Sequence, residues 1–503
     1  MVKLLFLSLH SAIVLAQAMT QCERLVSSIS GYGIINSTHV AADRLSIGGV
    51  ANTIPFCRVF ASLPYALNNS LVYEVWLPDA AQYNGRYLSV GNGGFAGVID
   101  EDALIENLNL GFAVAGGDGG HRAVDNNDGN GAPGIYLPFL HDINQTLAWI
   151  HKSIAYFTPL AQDLVQEYYS QAPSFSYYKG CSTGGAQGFA LAQFYPDLFD
   201  GIIAGSPGNW YSHLSLSFLW GYHVNQTLTA QGSAISQDDL NLISDAVVLQ
   251  CDELDGVKDG LIENPLMCDF DIATLSCSPS QNSSTCLNPA QVNAVRAIYA
   301  GPHDSRTNAS LYPGMGISSE IGWISQLGEL AQAFSIPILQ NLVFKNLSYD
   351  AYTFDWGSDV HQVDEHSGVL IDEISTNLSD FQAHGGKLIV TQGWSDPLNA
   401  ATWPLDHLQQ IQHHFGVDVS DWFNVFMVPG GGHCGQGYYP QAPTKYYSLA
   451  KLVQWVEQGV PPNEMLSSDP ADGTNTTRKL CPWPKTSQYV GGDINDWTSY
   501  ICQ

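Results

Sequence analysis

The feature of this sequence that most restricts its fold is a repeated order of short apolar runs, turns and helical patterns. Seven runs are rich in β-branched and aromatic residues, and most are followed by glycine: Leu71–Leu77, Arg86–Val90, Phe112–Ala115, Tyr177–Lys179, Ile202–Ala204, Lys387–Val390 and Val425–Val428. Helical patterns such as Gln187–Phe194 and Tyr446–Glu457 lie among them. Strand, glycine turn and helix in alternation predict an α/β fold in which helices cover both faces of a parallel sheet.

The stretch from Asn209 to Ser375 breaks this order. It is rich in Asn, Ser, Asp and Cys, and its helical patterns are not separated by convincing strands. We interpret it as a lid domain inserted into the core. The predicted organisation is a leader at residues 1–18, core at residues 19–208, lid at residues 209–375 and core again at residues 376–503. A length of 503 residues indicates either more than one domain or one large domain that carries insertions.

The charge of the chain excludes several classes of partner. There are 18 Lys and Arg against 47 Asp and Glu, a formal net charge of −29. A field of this sign repels phosphate, so nucleic acid and anionic membranes are not expected as partners. The hydrophobic fraction of 45% is enough for a large core and excludes a disordered acidic chain. Neutral or weakly charged ligands are left open.

The first residues have the form of an export signal. Lys3 supplies a positive start, Leu4–Leu15 is mostly apolar, and Ala16-Gln17-Ala18 has the small-x-small form of a cleavage site. The alternative is a membrane anchor, but the apolar stretch is short and interrupted by polar residues. Nine Asn-x-Ser/Thr sequons agree with export: Asn36, Asn68, Asn144, Asn225, Asn282, Asn308, Asn346, Asn377 and Asn475. We therefore expect a secreted, extracellular glycoprotein.

The cysteines point to the same environment. There are ten, an even number, and an oxidising compartment favours pairing all of them. Close pairs stand at Cys251/Cys268, Cys277/Cys286 and Cys481/Cys502. The sequence has no C-x-x-C pair, so a zinc site is not expected.

The sharpest local motif is Gly180-Cys181-Ser182-Thr183-Gly184. It is a G-x-S-x-G sequence after a strand-like run and before a helix. Such a turn lifts a serine hydroxyl clear of the sheet, and the helix N-terminus favours negative charge beside it. The alternative is an ordinary strand-to-helix turn. The flanking strand and helix favour Ser182 as a nucleophile.

A serine nucleophile needs a base and an orienting carboxylate. Asp396 follows the run Lys387–Val390, and His433 follows the run Val425–Val428. Both positions lie at the ends of predicted strands, where a parallel sheet places its ligand site. The order Ser, Asp, His is that of α/β hydrolases. The alternatives are a structural histidine and an Asp-Pro turn.

Two cysteines flank these residues. Cys181 precedes Ser182, and Cys434 follows His433. If His433 hydrogen-bonds Ser182, the neighbouring cysteines come close to the ~4.4–6.8 Å Cα separation of a disulfide. Spacing alone leaves other pairings open.

Gly180-Cys181-Ser182, Asp396 and His433-Cys434 together resemble the CS-D-HC pattern of the tannase and feruloyl esterase family. The likeness extends over nearly all of the chain after the leader, through Asn84-Gly85-Arg86, Gly91-Asn92-Gly93-Gly94, Gly116–His121, Phe199–Gly205 and Gly385-Gly386-Lys387. The resemblance implies an α/β-hydrolase core with a lid and a serine esterase mechanism. It also implies a Cys181–Cys434 disulfide and an oxyanion hole made by the N–H groups of Gly94 and Thr183. We expect the remaining disulfides to be Cys22–Cys57, Cys251–Cys268, Cys277–Cys286 and Cys481–Cys502.

A second candidate site is the acidic stretch 252–261. Its carboxylates could face inward around a hard cation, or the stretch could simply form two Asp-Gly turns. The resemblance implies a structural calcium ion bound by the side chains of Asp252, Asp255 and Asp259 and the carbonyls of Val257 and Leu261. No redox cofactor is indicated.

The expected function is hydrolysis of feruloyl and related hydroxycinnamoyl esters, either as small phenolic esters or as esters linked to plant cell-wall polysaccharide. Tannase activity on galloyl esters is the first alternative, and other aryl-acid esters are the second. A catalytically silent, calcium-bound binding protein on the same fold is an alternative of another class. Trp210, Tyr211, Phe218 and Trp220 are interpreted as part of the hydrophobic core of the lid rather than as a substrate wall. The oligomeric state has no signal in the sequence.

Overall fold

The computed structural model describes residues 21–25, 33–129, 136–278, 285–469 and 476–503, and the side chains of residues 127–129 are left aside. The predicted leader and the sequons at Asn282 and Asn475 lie outside the described residues.

A mixed nine-stranded sheet forms the centre of the molecule. Its strands are β1 (Ile34–Val40), β2 (Phe56–Ala66), β3 (Asn69–Pro78), β4 (Arg86–Val90), β5 (Ala113–Gly117), β6 (Phe175–Cys181), β7 (Gly201–Gly205), β8 (Lys387–Gly393) and β9 (Phe423–Val428). Their order across the sheet is β1-β2-β3-β5-β4-β6-β7-β8-β9. Six neighbouring strands of this order, β5-β4-β6-β7-β8-β9, are parallel.

The expectation of a wholly parallel sheet was wrong at one edge. β1, β2 and β3 are antiparallel, and β3 also runs antiparallel to β5. The reason is local, because only two residues, Leu67 and Asn68, join β2 to β3. A connection this short forces a hairpin, and Asn68 takes the positive φ of 67° that such turns require.

In the described part of the chain, eight α-helices have eight or more residues. They are α1 (Glu101–Leu108), α2 (Ser153–Tyr169), α3 (Thr183–Phe194), α4 (Tyr211–Ala230), α5 (Gln237–Cys251), α6 (Pro289–Ala300), α7 (Trp403–Phe415) and α8 (Ser448–Gln458). Shorter α- and π-helical segments are Ile143–Leu147, Ala148–Lys152, Ala331–Ser335, Ile336–Ile338, Leu339–Val343, Ser358–Val363, Asp364–Gly368, Val369–Ile371 and Ser379–His384. α5 and α6 each begin with a capping box, at Ser236/Asp239 and Asn288/Gln291.

Three small sheets of the described residues lie outside the large sheet. Ser46–Ile47 pairs with Val50–Ala51, Met465–Ser468 pairs with both Lys445–Tyr446 and Thr477–Leu480, and Ser487–Tyr489 pairs with Tyr500–Cys502. Short 3₁₀ turns complete the connections, among them Asp252–Asp255 and His433–Gly435.

Helices cover both faces of the sheet, as the sequence predicted. Neighbouring strand residues point to opposite sides: Tyr178 and Val390 belong to one buried cluster, whereas Tyr177 and Ile389 belong to another. The first cluster includes residues of α2 and α7, and the second includes residues of α1 and α8. This pattern is the two-sided burial expected of parallel strands.

Residues 209–375, which we call the helical insertion, leave the sheet after β7 and return before β8. Within the described part of this range no strand joins the large sheet. The helical insertion has an apolar cluster of its own, built around Leu240, Val247, Val295 and Trp323. None of its described helices, nor any other described helix, is long and apolar enough to cross a membrane.

All ten cysteines lie in the described residues and are paired. The pairs are Cys22–Cys57, Cys181–Cys434, Cys251–Cys268, Cys277–Cys286 and Cys481–Cys502. The five expected disulfides are therefore confirmed.

Candidate active site

The turn that carries Ser182 is the tightest strand-to-helix connection in the core. β6 ends at Cys181, α3 begins at Thr183, and Ser182 between them has φ 63° and ψ −119°. A Cβ on Gly180 would lie 2.5 Å from the carbonyl oxygen of Gly184, and a Cβ on Gly185 would lie 2.5 Å from that of Gly205. Only glycine fits at these two positions, so the motif spacing has a steric cause.

Asp396 lies in the turn after β8 and is fully buried. Its Oδ1 accepts the N–H groups of Leu398 (2.8 Å) and Asn399 (3.0 Å). Its Oδ2 accepts the side-chain N–H of Gln392 (3.0 Å) and lies 2.9 Å from Nδ1 of His433. Four donors thus surround one carboxylate.

These donors decide the charge of Asp396. Burial acts to raise its pKa, but the nearby His433 and the backbone amides outweigh burial and hold the pKa of Asp396 below its usual value. The carboxylate is therefore ionised at neutral pH. Because the carboxylate of Asp396 accepts the N–H of Nδ1, the neutral imidazole of His433 is held in the tautomer whose Nε2 carries no proton.

His433 follows β9 and is 8% exposed. Its Nε2 is buried and has no hydrogen-bond partner among the described residues. The expected hydrogen bond from Ser182 is not formed in this structure; such bonds are often long in free enzymes and tighten when substrate binds. The residues are nevertheless neighbours, because the Cys181–Cys434 disulfide places the adjoining Cα atoms 5.8 Å apart.

The glycine-rich turn after β4 lies against the start of α3. The N–H of Asn92 donates to Oε1 of Gln187 (2.9 Å), and a Cβ on Gly184 would be 3.1 Å from the carbonyl oxygen of Asn92. Gly94 has φ 50°, and Thr183 is the first residue of α3, where an N–H has no intrahelical acceptor. The glycine-rich turn that contains Gly94 therefore packs against the first turn of α3, which begins directly after Ser182.

Several supporting residues had not been predicted. Gln392 reaches Asp396, Gln187 reaches the glycine turn, and the side chain of Asn399 donates to the carbonyl oxygen of Ser206 (2.6 Å). The Ser206 hydroxyl in turn accepts the N–H of Cys434 (3.3 Å). The sequence marked only the glycine turn that Gln187 contacts, not these four side chains.

An aromatic side chain of the helical insertion covers Gly94. A Cβ on Gly94 would lie 3.6 Å from the ring of Phe334. The ring centroid of Phe334 is 5.1 Å from that of Phe95 and 5.9 Å from that of Phe218. Trp220, by contrast, donates its indole N–H to the carbonyl oxygen of Ala297 inside the helical insertion (2.8 Å).

Residues 57–503 match the family model described as tannase and feruloyl esterase. The chain belongs to the tannase and feruloyl esterase family.

Curated relatives match this chain over almost its whole length. A probable feruloyl esterase B of Emericella nidulans is 29% identical over 97% of this chain and 95% of its own length. An uncharacterized esterase of Xanthomonas campestris pv. campestris is 30% identical over 97% of this chain and 92% of its own length.

Solved structures extend the comparison. The crystal structure of feruloyl esterase B from Aspergillus oryzae has a TM-score of 0.86 at 26% identity and covers 97% of this chain and 100% of its own. A tannin acyl hydrolase from Aspergillus niger has a TM-score of 0.72 at 21% identity, with 97% and 95% covered, and is similar in fold. This member of the family is therefore a carboxylic ester hydrolase by descent.

The acidic loop, residues 252–263, lies elsewhere in this esterase. Asp252, Asp255 and Asp259 are each less than 9% exposed, and the Cys251–Cys268 disulfide braces the loop. Arg478, from outside the helical insertion, donates to Asp255 (3.0 Å), Asp259 and Glu263 (3.2 Å). Within the described residues no three potential ligands are gathered closely enough to form a finished metal site.

The chemistry of this loop nevertheless fits a hard cation. Its donors are all oxygens, and three buried carboxylates, those of Asp255, Asp259 and Glu263, share one guanidinium. Burial raises the pKa of Asp255 to about 6 and that of Glu263 to about 7, although Arg478 acts in the opposite direction. The loop therefore has uncompensated negative charge that a divalent cation would neutralise.

A surface cleft of about 670 Å³ lies beside α7. It is lined by Trp210, Tyr312, Trp403, Gln409, His413 and His414, among others, and not by Ser182, Asp396 or His433. Its size alone does not make it the reaction site.

Proposed function

We propose that this protein is a serine esterase that hydrolyses feruloyl and related hydroxycinnamoyl esters. Ser182 attacks the ester carbonyl carbon, and Nε2 of His433 takes the hydroxyl proton. His433 then donates that proton to the leaving alcohol, and water repeats the sequence to release the acid. Asp396 keeps the imidazole oriented and stabilises its protonated form.

One observation carries this proposal: a buried Asp396–His433 pair whose Nε2 has no partner among the described residues, joined through the Cys181–Cys434 disulfide to a serine in the strained turn of a nucleophile elbow. A structural histidine normally has both ring nitrogens satisfied when it is buried. Here the histidine with the unpartnered Nε2 is followed in the chain by Cys434, whose disulfide with Cys181 joins the loop of His433 to the loop of Ser182. The arrangement supports proton transfer between Ser182 and His433.

The N–H groups of Thr183 and Gly94 are assigned to the oxyanion of the tetrahedral intermediate. The first amide of α3 adds the positive end of the helix dipole, and the turn at Gly94 has no Cβ to obstruct the carbonyl oxygen. Donors held by the fold stabilise the developing charge without reorganising during the reaction.

The preference for an aromatic acid is supported by Phe334. This residue comes from the helical insertion, which we propose to be a lid domain over the site, and its ring lies against Gly94. An ester carbonyl bound at Gly94 would place its acyl group beside this ring. We favour feruloyl over galloyl esters because the structural relative called feruloyl esterase B is more similar than the tannin acyl hydrolase. Polysaccharide-linked esters are included as natural substrates.

The test is a substrate panel applied to the wild type and to Ser182→Ala. We expect hydrolysis of methyl ferulate, caffeate, p-coumarate and sinapate to exceed that of methyl gallate, and Ser182→Ala to lose about 10⁶-fold in kcat. Ser305→Ala, at an exposed serine outside the sequons, is the matched control. Faster hydrolysis of gallate would replace this substrate class by the tannase alternative. A wild type that does not react with a serine-directed probe would favour the silent binding protein.

We also propose that the acidic loop binds a structural calcium ion through Asp252, Asp255 and Asp259, with the carbonyls of Val257 and Leu261. The loop is remote in sequence from the catalytic residues, so calcium would stabilise the fold rather than take part in the reaction. Metal analysis of the purified protein should find calcium, and chelation should lower the Tm with kcat unchanged at low temperature. A purified protein without calcium that shows no calcium-dependent Tm would contradict the assignment.

Export is proposed from the leader, the disulfides and the sequons. Ten paired cysteines are typical of oxidising compartments. Six sequon asparagines are exposed: Asn36, Asn68, Asn144, Asn308, Asn346 and Asn377. Asn225 donates its side chain to the carbonyl oxygen of Leu327 (2.6 Å) and is not expected to carry a glycan. Glycopeptide mapping of secreted protein would check both statements.

A further inference from the structure

The helical insertion touches the turn that holds Asp396. Gln326, 1% exposed, donates its side-chain N–H groups to the carbonyl oxygens of Pro397 (2.8 Å) and Leu398 (3.2 Å). These two carbonyls belong to the same two peptide groups whose N–H atoms, on Leu398 and Asn399, donate to Oδ1 of Asp396. One amide side chain therefore holds both of the peptides that bind the carboxylate.

Peptide groups are planar and rigid, so the direction of a carbonyl fixes the direction of its N–H. If the carbonyls of Pro397 and Leu398 were free to turn, their N–H groups would leave Oδ1 of Asp396. The carboxylate would then rotate, and Oδ2 would lose its alignment with Nδ1 of His433. Gln326 opposes this rotation without touching Asp396 itself, because its hydrogen bonds hold the two carbonyl groups in place.

Other contacts press the same segment of the helical insertion onto the turn. The hydroxyl of Ser318 lies 3.0 Å from that of Ser395, and both residues are buried. A Cβ on Gly322 would lie 2.7 Å from Cβ of Pro397, so the backbone of the helical insertion rests directly on the proline ring. On the opposite side, Asn399 anchors the turn to Ser206 in the core.

We infer that Gln326 is a positioning residue for the esterase reaction, through which the helical insertion sets the orientation of Asp396. The inference rests on the proposed role of Asp396. It makes the helical insertion part of the catalytic arrangement as well as a cover over the substrate. It also predicts that the loss of one buried amide, which touches no substrate, changes kcat rather than KM.

The test replaces the amide by a group of similar volume without a donor. In Gln326→Met we expect kcat on methyl ferulate to fall roughly 10- to 100-fold with KM nearly unchanged, since misplacing a catalytic pair by ~1 Å has effects of this size. The strongly downfield proton resonance of the His433 Nδ1–H bonded to Asp396 should weaken or move upfield in the proton NMR spectrum. A merely structural role would leave this resonance in place.

Gln340→Met is the matched control. Gln340 is also a buried glutamine of the helical insertion and donates to a backbone carbonyl, that of Tyr349 (3.0 Å), but this acceptor lies within the helical insertion itself. Its replacement should lower the Tm while leaving kcat and the resonance unchanged.

The remaining outcomes are decided by two further variants. If Gln326→Met does not fold, Ser318→Gly serves instead, because glycine tolerates the φ of 79° at this position and only the contact with Ser395 is lost. It should shift kcat and the resonance in the same direction, by less. A folded Gln326→Met, or in its absence Ser318→Gly, with wild-type kcat and an unmoved resonance overturns the inference. Asp396→Asn is measured beside them: if that variant is fully active the proposed function fails, whatever Gln326 does.

Discussion

Two groups of buried carboxylates in this esterase have opposite environments. Asp396 stands alone among four hydrogen-bond donors, and its pKa lies below the usual value. In the acidic loop, Asp255 and Glu263 share the guanidinium of Arg478 with Asp259, and burial raises the pKa of Asp255 to about 6 and of Glu263 to about 7.

The difference shows that burial does not by itself decide the charge of a carboxylate. Asp396 is more deeply buried than Asp255, yet its charge is favoured because backbone N–H groups and His433 point at it. Backbone donors add hydrogen bonds without adding a competing charge. In the acidic loop several carboxylates lie close to one another, so their ionised forms are stabilised by cations from outside the loop, such as Arg478.

The largest expected effect is on kcat, and it follows from removing the charge of Asp396. In Asp396→Asn the amide oxygen is needed to accept the N–H groups of Leu398 and Asn399, so an NH2 group faces Nδ1 of His433 and favours the wrong tautomer of the imidazole. We expect kcat on methyl ferulate to fall about 10⁴-fold. Asp406→Asn, the same change at an exposed position on α7, is the control. A kcat within tenfold of the wild type would show that Asp396 does not orient the base.

The next effect concerns the disulfide that joins the two loops of the site. Cys181–Cys434 closes a separation of 253 residues, and its loss in Cys181→Ser/Cys434→Ser should cost ~4–5 kcal/mol in the free energy of unfolding. Turnover should also fall by about 10²-fold at temperatures where the variant is folded, because Ser182 and His433 lose their fixed spacing.

The control for this variant is Cys277→Ser/Cys286→Ser, which removes a disulfide spanning 9 residues in the helical insertion. It should lose stability without losing turnover. A folded Cys181→Ser/Cys434→Ser protein with full activity at low temperature would refute the expected role of the bridge.

The acidic loop is tested by removing the buried guanidinium of Arg478 that pairs with three of its carboxylates. Arg478→Met leaves Asp255, Asp259 and Glu263 without a counter-charge, and we expect a loss of ~3–5 kcal/mol in the free energy of unfolding measured with urea. Arg296→Met breaks only an exposed pair with Asp271 and should cost less than about 1 kcal/mol. Equal losses in the two variants would mean that the buried cluster does not depend on Arg478.

The smallest effect is a pH dependence with a defined sign. Without metal, the folded chain keeps protons on Asp255 and Glu263 that the unfolded chain releases at about pH 4. The stability of the chelated protein should therefore fall as the pH rises from about 4 to about 7. Saturating calcium should remove this fall, because the cation favours the ionised form. Melting curves in chelator and in calcium, at several pH values, measure both trends; identical curves would count against the calcium proposal.

The sequence predicted the parallel part of the fold better than its antiparallel edge. β4 begins and ends at the predicted residues, because a glycine-rich turn follows an unbroken apolar run. β1 was not predicted, since four of the seven residues in Ile34–Val40 are polar and only Ser37 in it is buried. Its place in the sheet is decided by pairing with β2, which is a long-range contact.

The same distinction holds for the site. Ser182, Asp396 and His433 could be placed at strand ends because each follows an apolar run and a turn motif. Gln326 could not, because its partners are backbone carbonyls 71 and 72 residues further along the chain. Nothing in the local sequence of a buried glutamine shows which carbonyls it will bind.

The bridge between Cys181 and Cys434 has a consequence for proteolysis. Because it encloses the entire helical insertion, a protease that cuts any exposed connection between these two residues leaves the two halves of the core covalently joined. The nicked molecule would run as a single species until a reductant is added. An esterase with this connectivity can lose the continuity of its helical insertion while Ser182 and His433 stay attached to each other.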